Sequence, residues 1–454
     1  MTKPNIILIN CDDLGYGDLG CYGSKVNHTP AIDKLAREGT RFTDFYMASP
    51  VCSPSRGAMM TGCYPPRIGF GEFEGQVVLF PGDPVGLNPD ETTLAEILRQ
   101  NGYGTKIIGK WHCGDQLPFM PLNHGFDEYF GLPFSNDMGR QAGPEPMRFP
   151  PLPLVKDNEV IQQQPDQRAL TERYVEQSLD FIQRHKDKPF FLYLAHMHVH
   201  LPLYAAEPFV QASENGDYGA CMASLDWATR CIMHKLEEEG LRDNTIIIFT
   251  SDNGSRGDNG GSNKPLRGAK FSTWEGGMRV PCIMHWPGHI PAGRECNNIF
   301  SAIDFLPTLA SLCGISIPEN NKEIDGMDLS AMVLGKADAP KRDVFYYYLQ
   351  NNLEAVRCGY WKLHVRKSGE EINQLYNLST DIGETTNLYD ANPSTVAHLS
   401  ALLADCRTAL GDAATGVTGT ANRPIGRVEV GVPLTHYDEN HPYIISMYDK
   451  PERG

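Results

Sequence analysis

The stretch Asn5-Ile6-Ile7-Leu8-Ile9 is a short apolar run, and Asn10-Cys11-Asp12-Asp13 follows it at once. A run without polar alternation reads as a central strand of a parallel sheet, covered on both faces. Two carboxylates directly after a strand can be a solvated turn. In open α/β sheets, however, ligands bind beyond the carboxyl ends of the strands.

The same pattern recurs along the chain. Thr40 to Tyr46 reads as a strand running into the loop before Cys52. Tyr103 to Ile108 is a strand ending in Gly109-Lys110-Trp111-His112. Phe190 to Leu194 is followed by His196, His198 and His200, and Thr245 to Phe249 by Ser251-Asp252-Asn253-Gly254. Val280 to His285 is one more strand. Between them, apolar spacing and stop signals predict helices over Thr29–Glu38, Thr92–Gln100, Leu170–His185, Tyr218–Glu239 and Ile303–Leu312. The fold class is therefore α/β, with a large mixed, mostly parallel sheet flanked by helices. Four apolar strands each deliver polar or ionisable groups at their carboxyl ends, which points to one site along one sheet edge.

From about Lys341 the character changes. Val344–Tyr348, Glu354–Cys358 and Tyr360–Val365 read as short antiparallel strands, with a helix near Ser394–Leu410 packed on them. This gives an N-terminal catalytic unit, residues 1–340, and a smaller C-terminal α+β unit, residues 341–454, whose tail from Thr415 has no clear period. Gly143 to Gln167, rich in Pro and Gln, reads as a surface excursion near the site. Gly254 to Asn263, rich in Gly, Ser and Asn, reads as a mobile loop.

Composition limits the function. The chain has 454 residues, 41% hydrophobic and 21% charged, with a formal net charge of −16. That is a globular composition and not a nucleic-acid-binding one, because phosphate backbones require a basic surface. An anion site must then be a local positive pocket. No run is long enough to cross a membrane, and no leader peptide is visible in Met1-Thr2-Lys3-Pro4. The expected compartment is cytoplasmic, or secreted or periplasmic if a leader has been removed. The 12 cysteines lack a repeated spacing and fit reduced, buried thiols rather than a disulfide framework.

Cys52-Ser53-Pro54-Ser55-Arg56 reads as a helix start, with Ser53 as N-cap and Pro54 in the first turn. Residue 52 then sits beside free N–H groups that favour an anion, and Arg56 can turn donors toward the same anion. With Thr61-Gly62 following, the pentapeptide resembles the maturation signature of the formylglycine-dependent (type I) sulfatases, of the alkaline phosphatase-like superfamily. The resemblance runs from Pro4 to about Leu388 and is closest to the arylsulfatase A and N-acetylgalactosamine-6-sulfatase branch. It includes Gln374–Leu378 and Asp381–Leu388, which are similar to the family's small C-terminal domain.

The resemblance implies that a maturation enzyme oxidises Cys52 to formylglycine, whose hydrate is the nucleophile. Asp12, Asp13, Asp252 and Asn253 match the family's calcium ligands. Their four hard oxygens suit calcium, or magnesium, rather than zinc. Arg56, Lys110 and Lys270 match positions that bind sulfate or the formylglycine, and Ser135 matches a substrate-pocket position. In the family mechanism, Asp252 takes a proton as one diol hydroxyl attacks sulfur. His200, with Lys270, assists the leaving alcohol as general acid, and His112 is the base that restores the aldehyde. His196 and His198 read as packed or solvated histidines, and Cys113 as a small hydrophobe. The expected function is hydrolysis of aryl or carbohydrate sulfate monoesters. The alternatives are a phosphonate or phosphodiester hydrolase of the same superfamily, or a non-catalytic protein that binds sulfated glycans with Cys52 left as a thiol.

Overall fold

The computed structural model describes residues 3–140, 149–317, 322–367, 369–443, 450 and 452. Its main sheet is built from β1 (Asn5–Cys11), β2 (Thr40–Phe42), β3 (Gly104–Gly109), β4 (Glu128–Gly131), β5 (Pro153–Lys156) and β6 (Glu159–Gln163). It continues with β7 (Phe190–Ala195), β8 (Thr245–Ser251), β9 (Cys282–His285) and β10 (Arg294–Cys296). Their order is β10-β2-β9-β8-β1-β7-β3-β4-β5-β6. The block β8-β1-β7-β3-β4 is parallel, and antiparallel neighbours flank it on both sides.

The apolar run that begins the chain serves both faces of this sheet. Ile6 and Leu8 enter one core with helices α3 (Leu94–Gln100) and α6 (Phe305–Leu312). Ile7 and Ile9 enter the other with α1 (Pro30–Glu38), α4 (Leu170–Arg184) and α5 (Gly216–Glu238). Alternate side chains of a strand point to opposite faces, so continuous hydrophobicity is what two covered faces require.

Two expectations are corrected here. Thr40–Tyr46 is not one strand. Arg279 donates to the Thr43 carbonyl and the Asp44 carboxylate at 2.6 and 2.9 Å, drawing the backbone away, and Phe45-Tyr46 pairs separately with Phe300-Ser301. Within 143–167, the part from Pro153 to Gln163 is not a surface excursion but the hairpin β5–β6, which extends the main sheet and buries Leu154 and Val155. Prolines and glutamines hid this alternation. Residues 143–148 lie outside the described residues.

Beyond residue 340, β11 (Val344–Leu349), β12 (Asn352–Cys358), β13 (Trp361–Lys367) and β14 (Glu370–Asn377) form an antiparallel sheet covered by α7 (Pro393–Leu410). The tail then returns to the first part of the chain. Gly426-Arg427 pairs with Val85-Gly86, Arg423 grips Glu91 at 2.8 Å, and the Val432 N–H donates to Gln116 at 3.0 Å. Among the described residues no helix is long and apolar enough to cross a membrane.

A buried ionic network joins the small sheet to the segment that leads into β9. Glu275 accepts from Lys362 and Tyr347 at 2.8 and 2.9 Å, and its own N–H donates to Glu384 at 2.8 Å. Lys362 also lies 3.0 Å from Glu384, and Lys362, Glu275 and Glu384 are all fully buried. Removing one partner of a buried pair strands the other charge, at a cost of about 3–5 kcal/mol. Lys362→Met is therefore expected to lower unfolding stability by about that amount, read from the urea midpoint. An unmoved midpoint would show that these carboxylates are solvated.

Candidate active site

The order β8-β1-β7-β3 sets four strand ends side by side, and their extensions stay bonded beyond the strands. Asp252 donates its N–H to Cys11, Asp12 to His198, and Lys110 to Ala195, at 3.0, 2.8 and 2.7 Å. Gly109 makes the last contact possible. It has φ +105°, and a Cβ there would lie 1.8 Å from the Ala195 carbonyl oxygen. Asp13 and His112 also take positive φ, 60° and 59°. Non-glycine residues in that region are uncommon, and strained backbone gathers at functional sites.

Helix α2 (Cys52–Thr61) enters the same place, with every residue buried. It starts two residues earlier than expected. Val51 is the N-cap, and the Ser53 hydroxyl does not cap the helix but accepts from the Leu79 N–H at 3.2 Å. The Leu79 carbonyl in turn bonds His112 Nε2 at 3.0 Å. Since a carbonyl only accepts, His112 carries its proton on Nε2 and its buried Nδ1 has no hydrogen-bond partner. Burial, then the Lys110 charge, holds this imidazole well below its ordinary pKa, so it is neutral.

The charges form a compact set. Lys110 Nζ lies 2.6 Å from Asp12 Oδ2 and 2.6 Å from Ser135 Oγ. Lys270 Nζ lies 3.0 Å from Asp13 Oδ2, and Arg56 Nε 2.8 Å from Asp252 Oδ2. Burial opposes ionisation of Asp12, but Lys110, His200 and Arg56 outweigh it and hold the carboxyl far below the usual range. Asp252 is raised instead, by burial and by Asp12. The Cys52 thiol is also pushed up, because burial outweighs Lys110 and Lys270. It is a protonated thiol and a poor nucleophile.

Asp12, Asp13 and His200 converge closely enough to ligate a metal ion, as do Asp12, Cys52 and Asp252. Asn253 Nδ2 is bonded to Asp13 Oδ1 at 2.7 Å, while Asp12 Oδ1 and Asn253 Oδ1 are buried without a hydrogen-bond partner. Two orphaned hard oxygens beside two further carboxylates fit a divalent cation.

His200 joins the set, its Nδ1 bonding the Leu201 carbonyl at 2.6 Å and its Nε2 3.9 Å from Asp13. His196 and His198 are buried and held low by burial, His198 against the partial opposition of neighbouring Asp12. Cys113 is a buried thiol, pushed up by burial. The loop 254–263, expected to be mobile, is tied down. Asn263 bonds both the N–H and the carbonyl of Ser255, at 2.9 and 2.7 Å, and Asp18 accepts from the Ser262 N–H at 2.8 Å. Sequence reasoning missed Asp18, whose Asp-Leu-Gly setting looks like any turn, and the Ser53–Leu79 tie, which joins segments with no shared motif.

Helices on both faces of a mixed sheet, with acids and cations gathered at its central strand ends, are the architecture expected of the alkaline phosphatase-like fold. The chain belongs to the sulfatase family, the hydrolases of sulfate esters: the Sulfatase family model matches residues 4–315. The model of the N-sulphoglucosamine sulphohydrolase C-terminal region matches residues 269–408. The chain is 40% identical to N-acetylgalactosamine-6-sulfatase of Canis lupus familiaris, over 82% of this chain and 74% of that one. It is 38% identical to arylsulfatase A of Homo sapiens, over 85% and 83%. The crystal structure of Ps i-CgsB superposes with a TM-score of 0.80 at 31% identity, covering 92% of this chain and 96% of that one.

Calcium added to chelator-treated protein is expected to raise the melting temperature, the stabilisation being about 2.7 kcal/mol at a hundredfold excess over Kd. Asp13→Ala should abolish the response. A melting temperature indifferent to calcium, magnesium and chelator would remove the cation from this cluster.

Proposed function

We propose that the chain hydrolyses aryl or carbohydrate sulfate monoesters with residue 52 as the nucleophile after conversion of Cys52 to formylglycine. One observation carries this reading. Cys52 opens a buried helix among three carboxylates and three cations, where burial pushes its thiol up. A site so equipped for an anion needs a better nucleophile than that thiol. Conversion supplies a hydrated aldehyde, and calcium, when bound by Asp12, Asp13, Asp252 and Asn253, supplies stabilisation of negative charge on oxygen.

The chain's own residues do the rest. Lys110 and Lys270 lie ready to neutralise sulfate oxygens, and Lys270 stays charged because Asp13 and its other anionic neighbours outweigh its burial. Arg56 fixes Asp252, the proposed proton acceptor, and Ser135 fixes Lys110 beside the substrate. His112 offers a bare Nδ1 as base. His200, whose Nδ1 bonds the Leu201 carbonyl, presents Nε2 to the leaving alcohol and donates there only as the imidazolium, which burial and Lys270 disfavour, so the Lys270 ammonium beside it shares the role of acid.

The proposed division is a catalytic unit, residues 1–340, and a smaller unit, 341–454. A formylglycine-generating enzyme is the required partner. The 12 free cysteines support a reducing compartment.

The test is sulfate release by protein co-produced with the maturation enzyme, with the mass of the peptide holding residue 52 measured in parallel. Release that tracks conversion is expected. Converted protein that releases phosphonate or phosphodiester products but no sulfate favours the rival chemistry, and unconverted protein that binds sulfated glycans favours the binding role. His200→Ala should cost roughly 100-fold or more on a sugar sulfate, with a poor leaving group, and much less on nitrophenyl sulfate. Equal losses on both substrates would reassign His200 to binding. Cys52→Ser is expected to lose multiple turnover.

A further inference from the structure

Between Ser251, the last residue of β8, and a short helical turn at Glu275–Met278, no described residue lies in a strand or helix. Lys270 sits in this stretch, yet its ammonium meets Asp13 at 3.0 Å inside the charged cluster. A cation that stabilises charge in a reaction must be held in place beforehand. An irregular loop has no ladder of peptide bonds to hold it, so the backbone of this one must find other partners.

One side-chain amide supplies them. Asn263 is 6% exposed, and its whole amide is bonded to the backbone of its own loop. Its Nδ2 donates to the Ser255 carbonyl at 2.7 Å and to the Gly268 carbonyl at 3.2 Å, and its Oδ1 accepts from the Ser255 N–H at 2.9 Å. A carbonyl has two lone pairs. The second acceptor position of Ser255 takes the Lys270 N–H at 3.1 Å. Asn263 therefore stands where the peptide of a neighbouring strand would stand in a sheet. It ties Ser255, near the start of the loop, to Gly268, two residues before Lys270. Two glycines make room for it. A Cβ on Gly254 would lie 3.1 Å from Asn263 Oδ1, and one on Gly276 would lie 3.0 Å from Asn263 Cβ.

The preceding residue fixes this loop to the turn after β1. The Ser262 N–H donates to Asp18 at 2.8 Å, and the Ser262 carbonyl accepts from the Gly17 N–H at 2.8 Å. That turn begins with Asp13, the carboxylate that faces Lys270. The loop that carries the cation and the turn that carries its partner are thus joined twice, by the ion pair and by positions 262 and 263.

We propose that Asn263 is a positioning residue for Lys270: its amide fixes the lysine backbone, and with it the point at which the ammonium meets a sulfate ester. The proposal rests on the sulfatase reading of the site. Asn263 acts through Ser255 and Gly268 and not on the substrate.

The test uses the converted enzyme with a sugar sulfate and with nitrophenyl sulfate. Asn263→Ala should lower kcat/KM roughly 100-fold on the sugar ester, whose poor leaving group needs the acid role that Lys270 shares. The loss on nitrophenyl sulfate should be about tenfold, from weaker neutralisation of the sulfate alone. In a Lys270→Ala background the same substitution should cost less than about twofold on nitrophenyl sulfate, because residues that act as a unit are not additive. Asn263→Asp keeps the size and the acceptor but sets an oxygen against two carbonyls. It should repeat the pattern, and it decides the matter if the alanine variant does not fold. Equal losses on the two esters overturn the proposal, since a merely loosened fold lowers both alike. Additive losses with Lys270→Ala also overturn it, because Asn263 would then be serving Asn253 and the cation site. No sulfate release from either ester by the converted wild type overturns the sulfatase reading, and this proposal with it.

Discussion

Three carboxylates and three cations share a volume from which water is largely excluded, and their mutual neutralisation is the constraint under which the rest of the chain folds. Asp12 faces Lys110, Asp13 faces Lys270 and Asp252 faces Arg56, all at 3.0 Å or less. The six groups come from five segments: three strand ends, one helix and one long loop, with Asp12 and Asp13 together at the end of β1. The pairs form only if the strand order is right and α2 begins where it does. Such buried pairs add little net stability over apolar packing. The two hydrophobic cores on either face of the sheet must offset their desolvation, which explains why its central strands carry unbroken apolar runs.

Lys270 shows how the smaller sheet reaches the chemistry. It lies five residues before Glu275, and Glu275 is anchored by Lys362 on β13 and Tyr347 on β11. The loop between them is short, so the antiparallel sheet holds one end of it, while the Ser255 carbonyl holds the Lys270 N–H at 3.1 Å at the other.

The central strands, the long helices and the acids and bases at the strand ends were legible because each is a local pattern: an apolar run, a 3.6-residue period, a polar group after a strand. Asp12 and Asp252 were found this way, Cys52 and Arg56 as a helix start that matches the family signature, and the geometry brings the four together. What stayed hidden was non-local. The hairpin β5–β6 is short, and prolines and glutamines disguise it. The break between β2 and Phe45 is dictated by Arg279, more than two hundred residues on. The Ser53 hydroxyl looked like a cap because its real partner, Leu79, is unremarkable in sequence. The loop 254–263 reads as mobile from its glycines, yet one buried acid, Asp18, and one amide, Asn263, tie it down.

The returning tail has a consequence for biosynthesis. Gly426-Arg427 pairs with Val85-Gly86, and the Thr435 hydroxyl bonds the Pro151 carbonyl. A ribosome delivers the charged cluster only once Tyr347 and Lys362, which anchor Glu275, have emerged, and the tail that pairs with Val85-Gly86 arrives last. The nascent chain can thus bring the acids and cations together before its tail returns. Translation that halts before residue 426 leaves a folded sheet with an unbraced rim.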